Sequence, residues 1–476
     1  MRSGILSLLA AATLSASGLI ITSCGKKSME GIIIISQVKE IDSNPDLVTG
    51  RSWRNIEGSH LLALDPASPG KAAVELTGDF FSACSPVISY DGTHMLFSGQ
   101  KKQGDVWQIW EMNLSSLKTR QVTSGNENSA DPDYLPGNRL IFSREVKGDS
   151  LKSGYSLFTC GTDGGSLARI TFNPHSYFAS TVLMDGRVLS VSRQIFPESG
   201  RQSMMVMRPD GTKCELFFED NDQKSLFSGG LETADGQVVF LQSDSSLNGR
   251  RNIVAVRYNR PLHSLVSLTD GISGDFYSAS PDGAGRILVS YRASGTENFG
   301  LYSFNTEART LGEPILKSND HNVLEAVIVK AHQRPKKLPS EVDHGVKTGL
   351  LFCQNIAMTG LTAPENPFAE NGPGSVEIMG VDSSLGVVDV EPDGSFYLKI
   401  AADVPFRLRT LDPSGNTVGG PGSWIWIRPN ERRGCVGCHE DHEMVPANRV
   451  ALAVKKDPVA VPVHVHGINE KKVELE

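Results

Sequence analysis

Five consecutive residues near the end of the chain, Cys435-Val436-Gly437-Cys438-His439, put two thiols and an imidazole on one short segment. Cysteines separated by two residues sit on a single tight turn, so both sulfurs can reach the two vinyl groups of one porphyrin. The adjacent imidazole then points at the iron as its proximal ligand. This spacing is the attachment signature of a c-type haem. It predicts one covalent haem c, bonded to Cys435 and Cys438 with His439 on the iron. Two other chemistries use the same residue types. Zinc could draw on the pair with His439 and His442, but these histidines follow the cysteines too closely for the usual finger layout. A redox disulfide at the pair lacks the βαβ surround that such motifs need.

The second axial position decides what such an iron does. A six-coordinate iron passes electrons, whereas an open position admits a small ligand. His442 lies three residues beyond His439 and belongs to the proximal side. The candidates for the distal side are Met444, His464 and His466. In Val463-His464-Val465-His466 the alternation places both imidazoles on one strand face, where they could equally be exposed terminal histidines. Arg428, Arg432 and Arg433 are candidates for pairing with the propionates, against ordinary solvated charges. Trp424, Trp426 and Tyr397 are candidates for walling the ring, against ordinary core aromatics.

Haem of this kind is attached outside the cytoplasm, and the N-terminus reads as an export signal. Arg2 precedes an apolar stretch from Ile5 to Ile21 that is too short and mixed for a membrane span. It closes on Ile21-Thr22-Ser23-Cys24, which resembles a bacterial lipobox. Residues 1–24 are therefore expected to be a lipoprotein signal, with Cys24 lipidated as the first mature residue. Acyl chains would hold the protein on a bacterial membrane, facing the periplasm or the cell surface, without spanning it. A plain secretory signal is the alternative. Of the seven cysteines, Cys84, Cys160, Cys214 and Cys353 remain, and they read as buried thiols rather than a disulfide framework. The net charge of -8 with no basic stripe excludes nucleic acid as a partner. A membrane, through the lipid, and a redox partner protein are the expected partners.

The elements that must position the motif are β-strands. Helical periodicity is scarce, and short β-branched runs alternate with turn signals, as 47 glycines and 25 prolines suggest. A turn followed by an apolar strand recurs at Tyr90-Asp91-Gly92, Leu135-Pro136-Gly137, Met184-Asp185-Gly186, Ala234-Asp235-Gly236 and Pro281-Asp282-Gly283. The period is roughly 45–50 residues, the size of a β-propeller blade. Each unit opens on a similar lead-in, such as Tyr177-Phe178-Ala179-Ser180 or Phe276-Tyr277-Ser278-Ala279. A second apolar strand recurs six times, at residues 60–64, 107–112, 156–160, 204–207, 252–256 and 301–304. One blade cannot bury both faces alone; a closed ring of blades can. The Asp-Gly pairs read as hairpin turns rather than calcium sites. The Ser280-Pro281-Asp282-Gly283 turn resembles those of TolB-type propellers. The expectation is an all-β chain: a TolB-like propeller over residues 25–335, of six blades with seven as the alternative. Residues Gly31 to Ile35 would close the ring. The basic, Pro-rich Gln333-Arg334-Pro335-Lys336-Lys337-Leu338-Pro339 reads as a linker. A small β-sandwich-like domain over 336–476 then carries the haem segment, with clean alternation at Phe406-Arg407-Leu408-Arg409-Thr410-Leu411 and only partial alternation at residues 395–400.

The stretches Val390 to Tyr397, Leu411-Asp412-Pro413-Ser414-Gly415 and Trp424 to Glu440 resemble the middle domain of the hydrazine synthase alpha subunit family. The propeller segment from Phe172-Asn173-Pro174-His175 to Leu189 fits the same family, whose members place a TolB-like propeller before this domain. The resemblance spans nearly the whole mature chain, specifically in the haem segment and loosely in the blades. It implies haem chemistry. Two departures set this chain apart: it has no second Cys-x-x-Cys-His, and Glu440-Asp441-His442-Glu443-Met444 lacks the tyrosine that approaches the synthase iron. The expected function is therefore an exported haem-c redox lipoprotein, oxidoreductase-like if it is an enzyme, and not hydrazine synthesis. The alternative is a propeller scaffold that binds a protein or glycan at the cell envelope. A propeller-linked hydrolase lacks its Gly-x-Ser-x-Gly elbow.

Overall fold

The structure is a computed structural model that describes residues 29–462, apart from 43, 69, 148–153, 221–223, 245–248, 283–284, 359–373 and 438–447. Cys24, Cys438, His439, His442, Met444, His464 and His466 lie outside the described residues. Among those described there is no α-helix, only two 3₁₀ turns, Pro261–His263 and Ala453–Lys455. No described helix is long and apolar enough to cross a membrane.

Each recurrent turn joins the first two strands of one blade. Blade 2 shows the pattern: Ser82–Ile88, His94–Gln100, Gln108–Asn113 and Thr119–Gln121 pair in order, each antiparallel to the next. Blades 3, 4 and 6 repeat it from Ser129–Leu135, His175–Val182 and Asp275–Pro281. In blade 5 the first strand is split into Ser225–Leu226 and Leu231–Glu232, both against Gln237–Asp244. The six recurrent second strands are the third strands of six blades, which is the number found among the described residues.

Blade 1 draws on both ends of the propeller. Its inner strand, Asn322–Ile328, pairs with Ile33–Val38, which pairs in turn with His60–Leu64. Ile34 lies opposite Val327 and Ile35 opposite Ala326, with both isoleucines buried. The apolar run at the N-terminal end thus closes the ring as expected, which removes two open sheet edges.

The lead-ins are the inner strands, and they bulge. Register shifts fall between Cys84 and Val87, Ala130 and Asp133, and Phe178 and Thr181. Ser85, Asp131 and Ala179 adopt positive φ at these bulges. Such a bulge turns the strand and re-aims its side chains toward the axis. The channel so formed holds about 480 Å³. In it the Arg54 guanidinium lies 3.6 Å from both Asp131 and Glu325. Burial pushes the neighbouring Asp133 carboxyl up to about 7, against the hydrogen bonds it accepts from the Tyr134 and Val182 amides. A carboxyl raised on folding holds a proton that the unfolded chain has already released, so between about pH 4 and 7 stability falls as pH rises. Asp133→Asn is expected to flatten that slope in denaturation midpoints measured across this range; an unchanged slope would contradict the assignment.

The second domain is two sheets face to face. One has the order Arg432–Cys435, Thr348–Cys353, Phe396–Ala401, Val459–Val461; its outer two strands run parallel to their neighbours. The other runs Ser384–Asp389, Ser375–Met379, Arg407–Leu411, Thr417–Gly419. Leu351, Ile378, Leu398, Ile400 and Phe406 fill the space between them. The alternation differs from expectation. Phe396–Ala401 is the strand that alternates, burying Phe396, Leu398 and Ile400. In Arg407–Leu411 both arginines are half-buried, because Arg407 donates to the Gly422 carbonyl and Arg409 to the Glu377 carboxylate.

The linker is laid against the propeller rather than extended from it. The Lys336 amide donates to the Met184 carbonyl at 3.1 Å. At Gly186, with φ +92°, a Cβ would overlap the Lys336 carbonyl oxygen, so this turn needs glycine both for its backbone and for the approach of the linker. Beyond it, the Glu341 amide and the Ser340 hydroxyl both donate to the Asp210 carboxylate.

Candidate haem site

The segment before the cysteine motif is the joint between the domains. Trp426 is buried among Leu157, Tyr177, Met207 and Cys214 of the propeller. Trp424 Nε1 donates to the Phe196 carbonyl at 2.8 Å. Arg428 reaches across with Nε to the Asp210 carbonyl, pairs through Nη1 with Asp403 at 2.7 Å, and lies 4.7 Å over the Phe172 ring. Glu431, 0% exposed, accepts from the Lys213 amide, the Arg428 amide and the Arg433 guanidinium at 2.7–3.0 Å. Burial works against the Arg433 charge more than any one neighbour favours it, but Glu431 and the nearby Cys214 and Cys435 together hold the guanidinium above its ordinary pKa.

Cys435 ends the strand Arg432–Cys435, directly beside Cys353 in the parallel pairing. The turn that follows is clasped from outside. The Gln354 amide donates to the Cys435 carbonyl at 2.9 Å and the Asn355 amide to the Val436 carbonyl at 3.2 Å. Gly437 packs so closely on this loop that a Cβ would overlap the Met358 carbonyl oxygen and stand 2.7 Å from the Met358 Cβ. Backbone contacts thus hold the stretch from Cys435 to Gly437 against the Gln354-to-Met358 loop.

Cys435 and Gly437 open onto a cavity of about 390 Å³ between the second domain and blade 4, a size typical of small-molecule sites. Apolar side chains from both domains line it, among them Met205, Phe396, Leu408 and Trp424. Arg201, Lys213 and Arg432 bring positive charge to the lining, and Glu215 and Glu219 bring negative charge. Apolar side chains beside a thiol, with arginine and lysine in the same lining, fit a porphyrin with its propionates.

The sequence-derived residues sort unevenly. Of the attachment set, Cys435 stands at the cavity; Cys438 and His439 lie outside the described residues, as do the distal candidates Met444, His464 and His466. Arg432 and Arg433 line the cavity, but Arg433 is committed to Glu431. Arg428 is not a propionate partner: its guanidinium is spent on Asp403 and Asp210 in the domain joint. Trp424 walls the cavity, whereas Trp426 is propeller core and Tyr397 packs edge-on against Phe352. Cys84, Cys160 and Cys214 are buried free thiols, and Cys353 is buried. Two residues were missed. Cys214 and His175 both line the cavity, although neither lies near the motif in sequence. The one available signal was Asn173-Pro174-His175, which stands in the family-like segment of blade 4 with no role attached. Burial pushes the Cys214 thiol up to about 12, so it stays protonated.

Comparisons with known proteins agree with this architecture. Residues 352–440 match the family described as hydrazine synthase alpha subunit middle domain. Hydrazine synthase subunit alpha of Kuenenia stuttgartiensis is 24% identical over an alignment of 510 positions, covering 80% of this chain and 62% of that protein. The chain therefore spans under two thirds of this relative's length. The solved structure of Kuenenia stuttgartiensis hydrazine synthase superposes with a TM-score of 0.77 at 20% identity, over 90% of this chain and 71% of that one. TolB from Acinetobacter baumannii aligns over 63% of this chain and 67% of its own, with 15% identity and a TM-score of 0.45.

Proposed function

We infer that this chain, which is similar to the hydrazine synthase alpha subunit in sequence and fold, is an exported, lipid-anchored redox protein working through one covalent haem c. The observation that carries the reading is the cavity at Cys435, walled on one side by the domain that bears the motif and on the other by blade 4 of the propeller. Cys435 and Cys438 would hold the group by thioethers, and His439 would supply the proximal nitrogen. Bound there, haem supplies one-electron chemistry or an iron that binds a small ligand. The protein's own contribution is to orient the attachment turn through Gln354, Asn355 and Gly437, to exclude water with Trp424 and Phe396, and to balance propionate charge with Arg432. Hydrazine synthesis is not carried over, because no tyrosine follows His439 in Glu440-Asp441-His442-Glu443-Met444.

The test is direct. The full chain is exported in a host with cytochrome c maturation, and the denatured protein is run on a gel stained for haem. A band that stays stained after denaturation is expected, and it is lost in the Cys435→Ser, Cys438→Ser double variant. An unstained wild-type band refutes the reading. Lipid anchoring through Cys24 is checked separately: Cys24→Ser should move the protein from membranes to the soluble envelope fraction.

The propeller channel, with Arg54, Asp131, Asp133 and Glu325 around about 480 Å³, favours one second reading, a scaffold that grips a partner there. A cysteine double variant that retained full biological function would support the scaffold over the redox role.

A further inference from the structure

His175 begins the inner strand of blade 4, His175–Val182, and lines the cavity from the wall contributed by the propeller. Only 9% of the residue is exposed. Its Nδ1 lies 2.7 Å from the Ser192 hydroxyl. Its Nε2 is buried, and no described group hydrogen-bonds it. An imidazole nitrogen buried without a partner costs on the order of 1–3 kcal/mol, so a native structure keeps one where something else satisfies it.

We propose that His175 is the second axial ligand of the haem iron, donated by the propeller to a haem whose thioethers belong to the other domain. The proposal rests on the haem reading above and sharpens it. In the tautomer with its proton on Nδ1, Nδ1–H donates a hydrogen bond to Ser192 Oγ and Nε2 presents a lone pair. Coordination then forms one N–Fe bond and displaces no proton. Metal-bound histidines are commonly held in this way by a hydrogen bond at the other nitrogen. The other donors of the cavity fit less well. Met205 Sδ already accepts from the Ser203 hydroxyl at 3.4 Å, and the Cys214 thiol keeps its proton. The haem would then fasten the propeller to the second domain, making its iron a coupling point between them.

The experiment is the ferric absorption and electron paramagnetic resonance spectrum of the full haem-loaded chain. Wild type is expected to be low-spin. His175→Ala, still carrying covalent haem on a stained gel, should become high-spin and return to low-spin on addition of imidazole. His175→Met fills similar space and should stay six-coordinate while gaining a sulfur-to-iron charge-transfer band and a raised midpoint potential. A high-spin wild type overturns the assignment, as does a His175→Ala spectrum identical to a low-spin wild type. Wild type without covalent haem defeats the underlying haem reading instead, and the stained gel separates that failure from the spectral ones.

Discussion

Glu431→Ala is expected to destabilise the joined domains by about 3–5 kcal/mol, the usual consequence of stripping one partner from a buried ion pair. Glu431 is fully buried and satisfies three groups together: the Arg433 guanidinium, the Lys213 amide of the propeller and the Arg428 amide of its own loop. Alanine leaves a buried cation uncompensated and two amides without an acceptor. The loss falls on the joint, so the second domain should come away from blade 4 before the blades unfold. Denaturation followed by tryptophan fluorescence, to which Trp424 and Trp426 contribute at the interface, should show an earlier transition, and proteolysis in the linker around Arg334 should accelerate. Glu431→Gln keeps the acceptor oxygen and should cost less, about 1–3 kcal/mol. A Glu431→Ala midpoint within error of wild type would show that the pair does not hold the joint.

Gly437→Ala should cost about 1–3 kcal/mol through overpacking and sharply reduce the yield of covalent haem. The added methyl would occupy the space of the Met358 carbonyl oxygen, so either the motif turn or the clasping loop must move. Moving the turn shifts Cys435 relative to the cavity. Gly434→Ala is the control: the nearest atom to its Cβ would be Phe352 Cδ1 at 4.0 Å, ordinary contact, and haem yield should stay near wild type. Equal yields for the two variants on a haem-stained gel would remove the clasp from the account. The comparison also separates local from tertiary information, since the Cys-x-x-Cys-His pattern leaves position 437 open to any residue and only the Met358 loop demands glycine there.

The blades were readable because they are built from local signals. An Asp-Gly turn forces a hairpin whatever surrounds it, and six recurrent third strands therefore counted six blades. Ring closure was readable too, since the isoleucine run at Ile33–Val38 had to be buried somewhere. The sandwich was read less well. The alternating letters of Phe406 to Leu411 suggested a half-buried strand, but Arg407 and Arg409 satisfy their charges against Gly422 and Glu377 and stay partly covered. The side chains around the motif were misjudged for a related reason: Arg428 looks like any solvated arginine until Asp210 and Asp403 are brought to it.

By itself, the sequence determined the spacing of the Cys-x-x-Cys-His motif and the repeat, because both depend on residues within a few positions of one another. The spacing of Cys435 and Cys438 is a property of one turn, and each hairpin a property of its own loop. Only the tertiary structure decided what faces Cys435. His175 and Cys214 come from blade 4, and they share a cavity with Cys435 because segment 424–433 sets its tryptophans and its buried glutamate against the propeller. Contacts of that kind are made once, between segments far apart in the chain, and leave no period or spacing to read. The energy that makes them comes from burying one domain against another, which exists only after both have folded.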